Sequence, residues 1–115
     1  CVVGRLAREG EVNAASIEAA MHDAVRKAVE VILAAAPADA DDERARDVMG
    51  AVFALVGLAL RAVPRWTMRS VDGQWEVVYG LLRDGELIAD SSVRDSTPMR
   101  CVAMCARLLS APHEG

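Results

Sequence analysis

A run of thirteen apolar residues, "VMGAVFALVGLAL" at positions 48–60, limits what this 115-residue chain can fold into. Arg46 and Asp47 precede it and Arg61 follows it. As a helix it is ~20 Å long, against the ~30 Å of hydrocarbon in a bilayer. It is too short to span a membrane, and no membrane partner is expected. It is also too apolar to face water on every side, so protein must cover it. The acidic stretch "ADADDERARD" at 38–47 suits the start of this helix, because carboxylates are stabilised at the positive end of the helix dipole.

Three faces can be drawn on that helix. Met49, Phe53, Val56, Leu60 and Val63 form a bulky ridge, and Gly50, Ala54 and Gly57 form a line of small residues. Glycine inside a helix costs about 1 kcal/mol relative to alanine. Close approach of another backbone would offset that cost, and the alanine-rich helix before it is the expected neighbour. The third face, Val52, Leu55, Leu58 and Ala59, is apolar as well. One helix cannot hide three apolar faces in a monomer unless it lies at the centre, so these four residues are expected at an interface.

Two Asp-Gly pairs follow, Asp72-Gly73 and Asp84-Gly85, and such pairs are strong hairpin signals. A two-residue turn at each sets the register. Arg69 then faces Glu76, Met68 faces Val77 and Trp66 faces Tyr79; further on, Leu82 faces Leu87 and Leu81 faces Ile88. This places Trp66, Met68, Trp75, Val77, Tyr79, Leu81 and Ile88 on one face, pointing into a core. Val78, Gly80, Leu82, Leu87, Ala89 and Val93 fall on the other. That second face is either covered by the last helix or the amino-terminal arm, or left open as an interaction site. Val78, Leu82, Leu87 and Ala89 are therefore interface candidates too.

The rest of the chain reads as helix. Asn13 or Ser16 can cap a first helix running to about Ala36, with Ile17, Met21, Ala24, Val25, Ala28 and Ile32 as its apolar stripe. "DSTPMRCVAMCARLLSAP" starts a last helix, with Ser96 or Thr97 as cap and Pro98 in the first turn. The expected fold is α+β in the order α-α-β-β-β-α, a three-stranded antiparallel meander packed against helices. As one domain it divides into an arm or short strand at 1–12, helices at 13–36 and 41–63, the meander at 65–93 and a helix at 97–110.

Composition narrows the function classes. The net charge is −4, with the whole acidic excess in residues 1–60, which disfavours nucleic acid as a partner. Arginine supplies almost all the positive charge, and with the abundance of alanine this points to a GC-rich, bacterial coding genome. Three cysteines make no disulfide framework and fit a reducing, cytoplasmic setting. The chain opens on Cys1 rather than Met, so the native start is expected to lie upstream.

Chemistry-bearing constellations are sparse. Cys101 and Cys105 lie one helical turn apart, but neither histidine is near in sequence, and free cysteine also serves as a small apolar residue. No phosphate-binding glycine loop, zinc-protease motif or nucleophile elbow is present, so no cofactor, metal or catalytic residue is assigned. The expectation is a cytoplasmic, non-enzymatic protein-binding or regulatory module, a homodimer that also meets another protein. The alternative is a small-ligand binder or minor enzyme, with Tyr79, Asp90, Ser92 and His22 at the mouth of a pocket between sheet and helices. A nucleic-acid binder is the third reading.

Overall fold

The computed structural model describes residues 14–110, so the arm at 1–12 and the candidate cap Asn13 lie outside the described residues. The elements are α1 (Ala14–Ala35), α2 (Asp42–Leu60), β1 (Val63–Val71), β2 (Gln74–Arg83), β3 (Glu86–Asp95) and α3 (Pro98–Leu109). The fold is α+β in the expected order. The sheet runs β1-β2-β3, antiparallel throughout. α2 and α3 lie on one side of it, and α1 packs along α2.

Each element has a local cause. Asp41 caps α2 by accepting a hydrogen bond from the Arg44 N–H at 2.9 Å. Thr97 does the same for α3 through Arg100 N–H at 3.2 Å, with Pro98 in the first turn. Ser16 falls inside α1 rather than at its cap, since that helix is already formed at Ala14. Both hairpin turns carry positive φ at both central residues: 52° and 77° at Asp72-Gly73, 52° and 80° at Asp84-Gly85. That is the type I′ geometry whose twist matches the flanking strands.

α2 stops earlier than its sequence suggests. Arg61 takes a left-handed conformation, φ 53°, and the Ala62 N–H donates back to the Gly57 carbonyl at 2.8 Å. The Arg83 guanidinium donates to the Leu60 carbonyl, its Nε at 3.0 Å, so a cation sits at the negative end of the helix. Val63 therefore leaves the helix ridge and opens β1 instead.

This reversal explains one of the two interior glycines. A Cβ on Gly57 would lie 2.9 Å from the Ala62 carbonyl oxygen and 3.0 Å from Pro64 Cδ. The close approach comes from α2's own continuation, not from α1. Gly50 is less crowded, the nearest atom being Trp66 Cζ2 at 4.0 Å.

The core lies between α2, α3 and the inner face of the sheet. Phe53 stacks on Trp66, ring centroids 5.8 Å apart, and meets Tyr79 at 5.4 Å. Met49, Val52, Val56, Met68, Val77, Leu81, Val93, Cys101, Val102 and Cys105 close around them. α1 contributes Val29, with Val25, Ile32 and Leu33 partly buried beside it. The expected stripe is thus rotated: Met21 and Ala24 are exposed. The bulkier valine, isoleucine and leucine side chains bury more apolar area than Ala24 and Ala28 would.

The second hairpin departs from an unbroken register. Leu82 pairs with Leu87 as expected, but Leu81 pairs with Ala89, so Ile88 is an extra residue in a β-bulge. The bulge reverses the facing of all of β3 beyond it. Ala89 and Val93 turn to the inner face, opposite Leu81 and Val77, and Ile88 is left exposed. The physical reason lies in "ADSSVRD": without the bulge, Asp90 and Arg94 would point into the core, and burying charge without a partner is strongly unfavourable.

Candidate functional site

With both helical layers on the inner face, no described element covers the outer face of the sheet. Its cross-strand rows follow from the pairing. One row is Val63–Leu82–Leu87, the next Arg65–Gly80–Asp90, then Thr67–Val78–Ser92, and last Arg69–Glu76–Arg94. The face is apolar at one end and ionic at the other.

At the apolar end Val63 is 61% exposed and Leu87 is 56% exposed, and Leu82 lies half-buried between them. Leu87 leans across the neighbouring row: a Cβ on Gly80 would meet its Cδ1 at 3.0 Å. The apolar surface continues past the sheet. An open groove of about 350 Å³ runs from Val63 and Pro64 along Ala54, Gly57 and Leu58 of α2, and Leu58 is 76% exposed. Leu58, Val63, Leu82 and Leu87 thus form one strip, with exposed Val78 two rows further along the sheet.

At the ionic end Glu76 is held by two arginines. Arg69 Nε donates to Oε1 at 3.2 Å, and Arg94 donates to Oε2 through Nε at 3.3 Å and Nη2 at 3.2 Å. These bonds, Arg94's first, hold the Glu76 carboxyl below its usual range. The arrangement fixes all three strands at the end away from the apolar strip.

Of the interface candidates, Leu58, Val78, Leu82 and Leu87 are brought together. Leu55 and Ala59 are half-buried on α2. Val52 is fully enclosed in the core and presents no surface. Ala89 is on the inner face, because of the bulge. Val63 is the residue that sequence reasoning missed. The hairpin register already sets it opposite Leu82, but its apolar spacing assigns it to the end of the helix.

The four ligand candidates are not gathered. Tyr79 is buried on the inner face, and Asp90 and Ser92 are exposed on the outer one. His22 is half-buried on α1. Burial pushes the Tyr79 hydroxyl's pKa up, aided by Cys105 and Asp90, while a hydrogen bond with Ser91 opposes the rise. Another groove, about 430 Å³, lies elsewhere, between α1 and α3. Val29, Leu33, Ala103 and Ala106 line it, with Arg26, Glu30 and Arg107 among them.

The cysteine pair is buried in α3. Cys101 Sγ lies 3.3 Å from the Trp75 carbonyl, to which it donates. Burial, with Cys101 adding to it, pushes the Cys105 thiol up to about 12. A thiol so held is protonated at neutral pH and is a poor nucleophile. Among the described residues, no group of three or more His, Cys, Asp or Glu side chains is placed to hold a metal ion. No helix among them is long and apolar enough to cross a membrane.

Known protein families, curated proteins and solved structures give no match to this chain.

Proposed function

We propose that this chain is a small protein-binding module that works as a homodimer and docks another protein on the outer face of its sheet. One observation carries the reading: among the described residues the meander is covered on one side only, and the open side gathers Val63, Leu82 and Leu87 beside Leu58 of α2, with Val78 two rows away. Contiguous exposed apolar surface of this kind is the usual mark of an interaction site. The ionic row at the far end supplies a polar margin, as interface rims do.

Light scattering behind size exclusion tests the assembly, with a mass of two chains expected at high micromolar concentration. A strict monomer there removes the homodimer from the reading. The docking face is tested by affinity capture with the wild type, Leu58→Glu and Leu87→Glu. Both substituted side chains are exposed, so the circular dichroism spectrum should not change. Proteins retained by the wild type and lost by both variants support the docking face; equal retention by all three overturns it.

The groove between α1 and α3 favours a second reading, a small apolar ligand held between those helices. A thermal-shift screen against metabolites separates the two, since a ligand bound only by the folded state raises the melting temperature.

A further inference from the structure

We infer that the groove where α2 turns into β1 takes an acidic side chain flanked by apolar ones on the partner protein, and that Arg61 is the residue that binds its carboxylate. The inference rests on the docking face proposed above and names the chemistry of what docks there.

Arg61 is costly where it stands. Its φ of 53° is the left-handed conformation, which strains a residue with a Cβ and which helix ends ordinarily give to glycine. The turn needs that conformation but not the side chain. The Arg61 N–H donates to the Leu58 carbonyl at 3.3 Å, a bond that glycine would supply equally well, and the Ala62 N–H closes the reversal on the Gly57 carbonyl. A cation suits the negative end of α2, but Arg83 already takes that place at the Leu60 carbonyl. Among the described residues no carboxylate pairs with Arg61. The fold therefore has no use for this guanidinium, at a position whose backbone favours another residue. An unfavourable conformation kept in this way points to function.

The surroundings say what the guanidinium would meet. Apart from Arg61, every residue lining the groove of about 350 Å³ is apolar, and Leu58 and Val63 among them are exposed. Arg65 is the next residue after Val63 to face outward on β1, and it too is exposed and has no carboxylate partner among the described residues. In its row Asp90 lies across Gly80, on the far strand, and Glu86 faces Arg83 at the hairpin end. The corner between α2 and β1 is thus cationic, on a chain whose net charge is −4. Two unpaired guanidiniums beside an apolar groove complement a carboxylate set among apolar side chains. Guanidinium–carboxylate bonds are charge-assisted and bidentate, so they fix orientation as well as adding affinity. A basic segment would be repelled at the same place.

Retention of defined peptide pools on the immobilised full chain tests this. Each pool holds acetylated, amidated octapeptides in which leucine, valine, alanine and serine are randomised around one fixed central residue: glutamate, glutamine or lysine. The blocked ends leave the central side chain as the only source of charge. The wild type should retain the glutamate pool about tenfold better than the glutamine pool, with an advantage that shrinks in salt, and the lysine pool least. Arg61→Gln should abolish the advantage and Arg65→Gln should reduce it. Arg44→Gln, which removes the same charge at the far end of α2, should leave it intact. Arg61→Gly carries the distinguishing signature: it should lose the advantage and yet melt about 5 °C higher, because glycine relieves the backbone. Leu58→Glu, which sets a carboxylate in the groove, should lose the glutamate and glutamine pools alike.

Equal retention of those two pools, with both lost in Leu58→Glu, would overturn the carboxylate and leave the docking face standing. A glutamate pool retained in spite of Leu58→Glu would overturn the docking site as well. Retention of no pool, a preference for lysine, or a glutamate advantage that survives Arg61→Gly would overturn the inference. So would a lower melting temperature in Arg61→Gly, since the side chain would then be serving the fold.

Discussion

Val77 and Val78 are neighbours on β2, and they occupy opposite sides of the sheet. Val77 is wholly enclosed among α3, β3 and the rest of the core, while Val78 stands in the open between Thr67 and Ser92. The two faces use similar residue types to different ends. On the inner face, aromatic and aliphatic side chains pack with two helices and bury almost no polar group. On the outer face an apolar row closes one end and an ionic row the other, with Arg65, Asp90 and Val78 between them, and nothing described packs against them. The inner face stabilises the chain; the outer face has surface left for a partner. The comparison is sharpest with aspartate at each site. Val77→Asp should unfold the protein, costing about 4 kcal/mol or more, because it buries a charge without a partner. Val78→Asp should change stability by under about 1 kcal/mol. Urea unfolding of both checks this; equal effects would mean the outer face is covered.

Glycine divides the faces in the same way. Alanine at Gly57 gains helix propensity, but its methyl would press on the backbone of the Ala62–Pro64 reversal. Since backbone cannot swing aside, Gly57→Ala should destabilise by about 1–3 kcal/mol, the usual range for overpacking. At Gly80 the obstructing atom is the far end of exposed Leu87, which can rotate away. Gly80→Ala should be neutral, or stabilise by up to about 1 kcal/mol, since alanine loses less entropy in a strand. Melting temperatures of the pair decide whether the α2–β1 corner is as tight as its geometry implies.

What is legible in the sequence, and what is not, follows the same division between local and non-local causes. The two Asp-Gly turns are local, and they set the β1–β2 register residue for residue. The caps at Asp41 and Thr97 are local too. Three features escape a sequence reading. The end of α2 depends on Arg61 in a left-handed conformation, a role more often filled by glycine, so Val63 looks helical. The face that α1 buries depends on α2, because α1 offers apolar residues on two sides and its own pattern favours neither. The bulge at Ile88 is readable in principle: carrying the strict alternation onward points Asp90 and Arg94 inward. A strand whose charges fall in the buried phase is a signal that its phase has changed. Of the candidate site, Leu58, Val78, Leu82 and Leu87 are found from their apolarity alone, whereas excluding Val52 and Ala89 requires the packing.

The bulge offers a third test, of smaller effect. Deleting Ile88 would place Ala89 directly after Leu87, and every other β2–β3 pair would keep its partner. The deletion variant should therefore fold, with Val93 still in the core and Arg94 still beside Glu76. A small loss of stability is expected from the changed local twist. Amide cross-peaks between Val77 and Val93 in the NMR spectrum would show the register kept. Their loss, with Arg94 moved opposite Val77, would show that the bulge is held by something other than the phase of the sequence.

The faintest contrast between the faces is in their response to pH. On the inner face, burial raises the Tyr79 pKa above its usual value near 10. Its contribution is therefore complete below that value and is lost as pH rises through the folded one; Tyr79→Phe should flatten the alkaline limb of the stability curve. On the outer face, Arg94 and Arg69 hold Glu76 below the usual carboxylate range. Its contribution is complete above that range and is lost as pH falls through the lower, folded value. Glu76→Gln should flatten the acid limb, and by less, because the pair of arginines is solvated and salt screens it. Melting temperatures from pH 2 to 11 at low and high salt separate the two. An acid limb that persists in Glu76→Gln, or fails to shrink with salt in the wild type, would mean that the ionic row does not hold the outer face together and that the inner face alone orders all three strands.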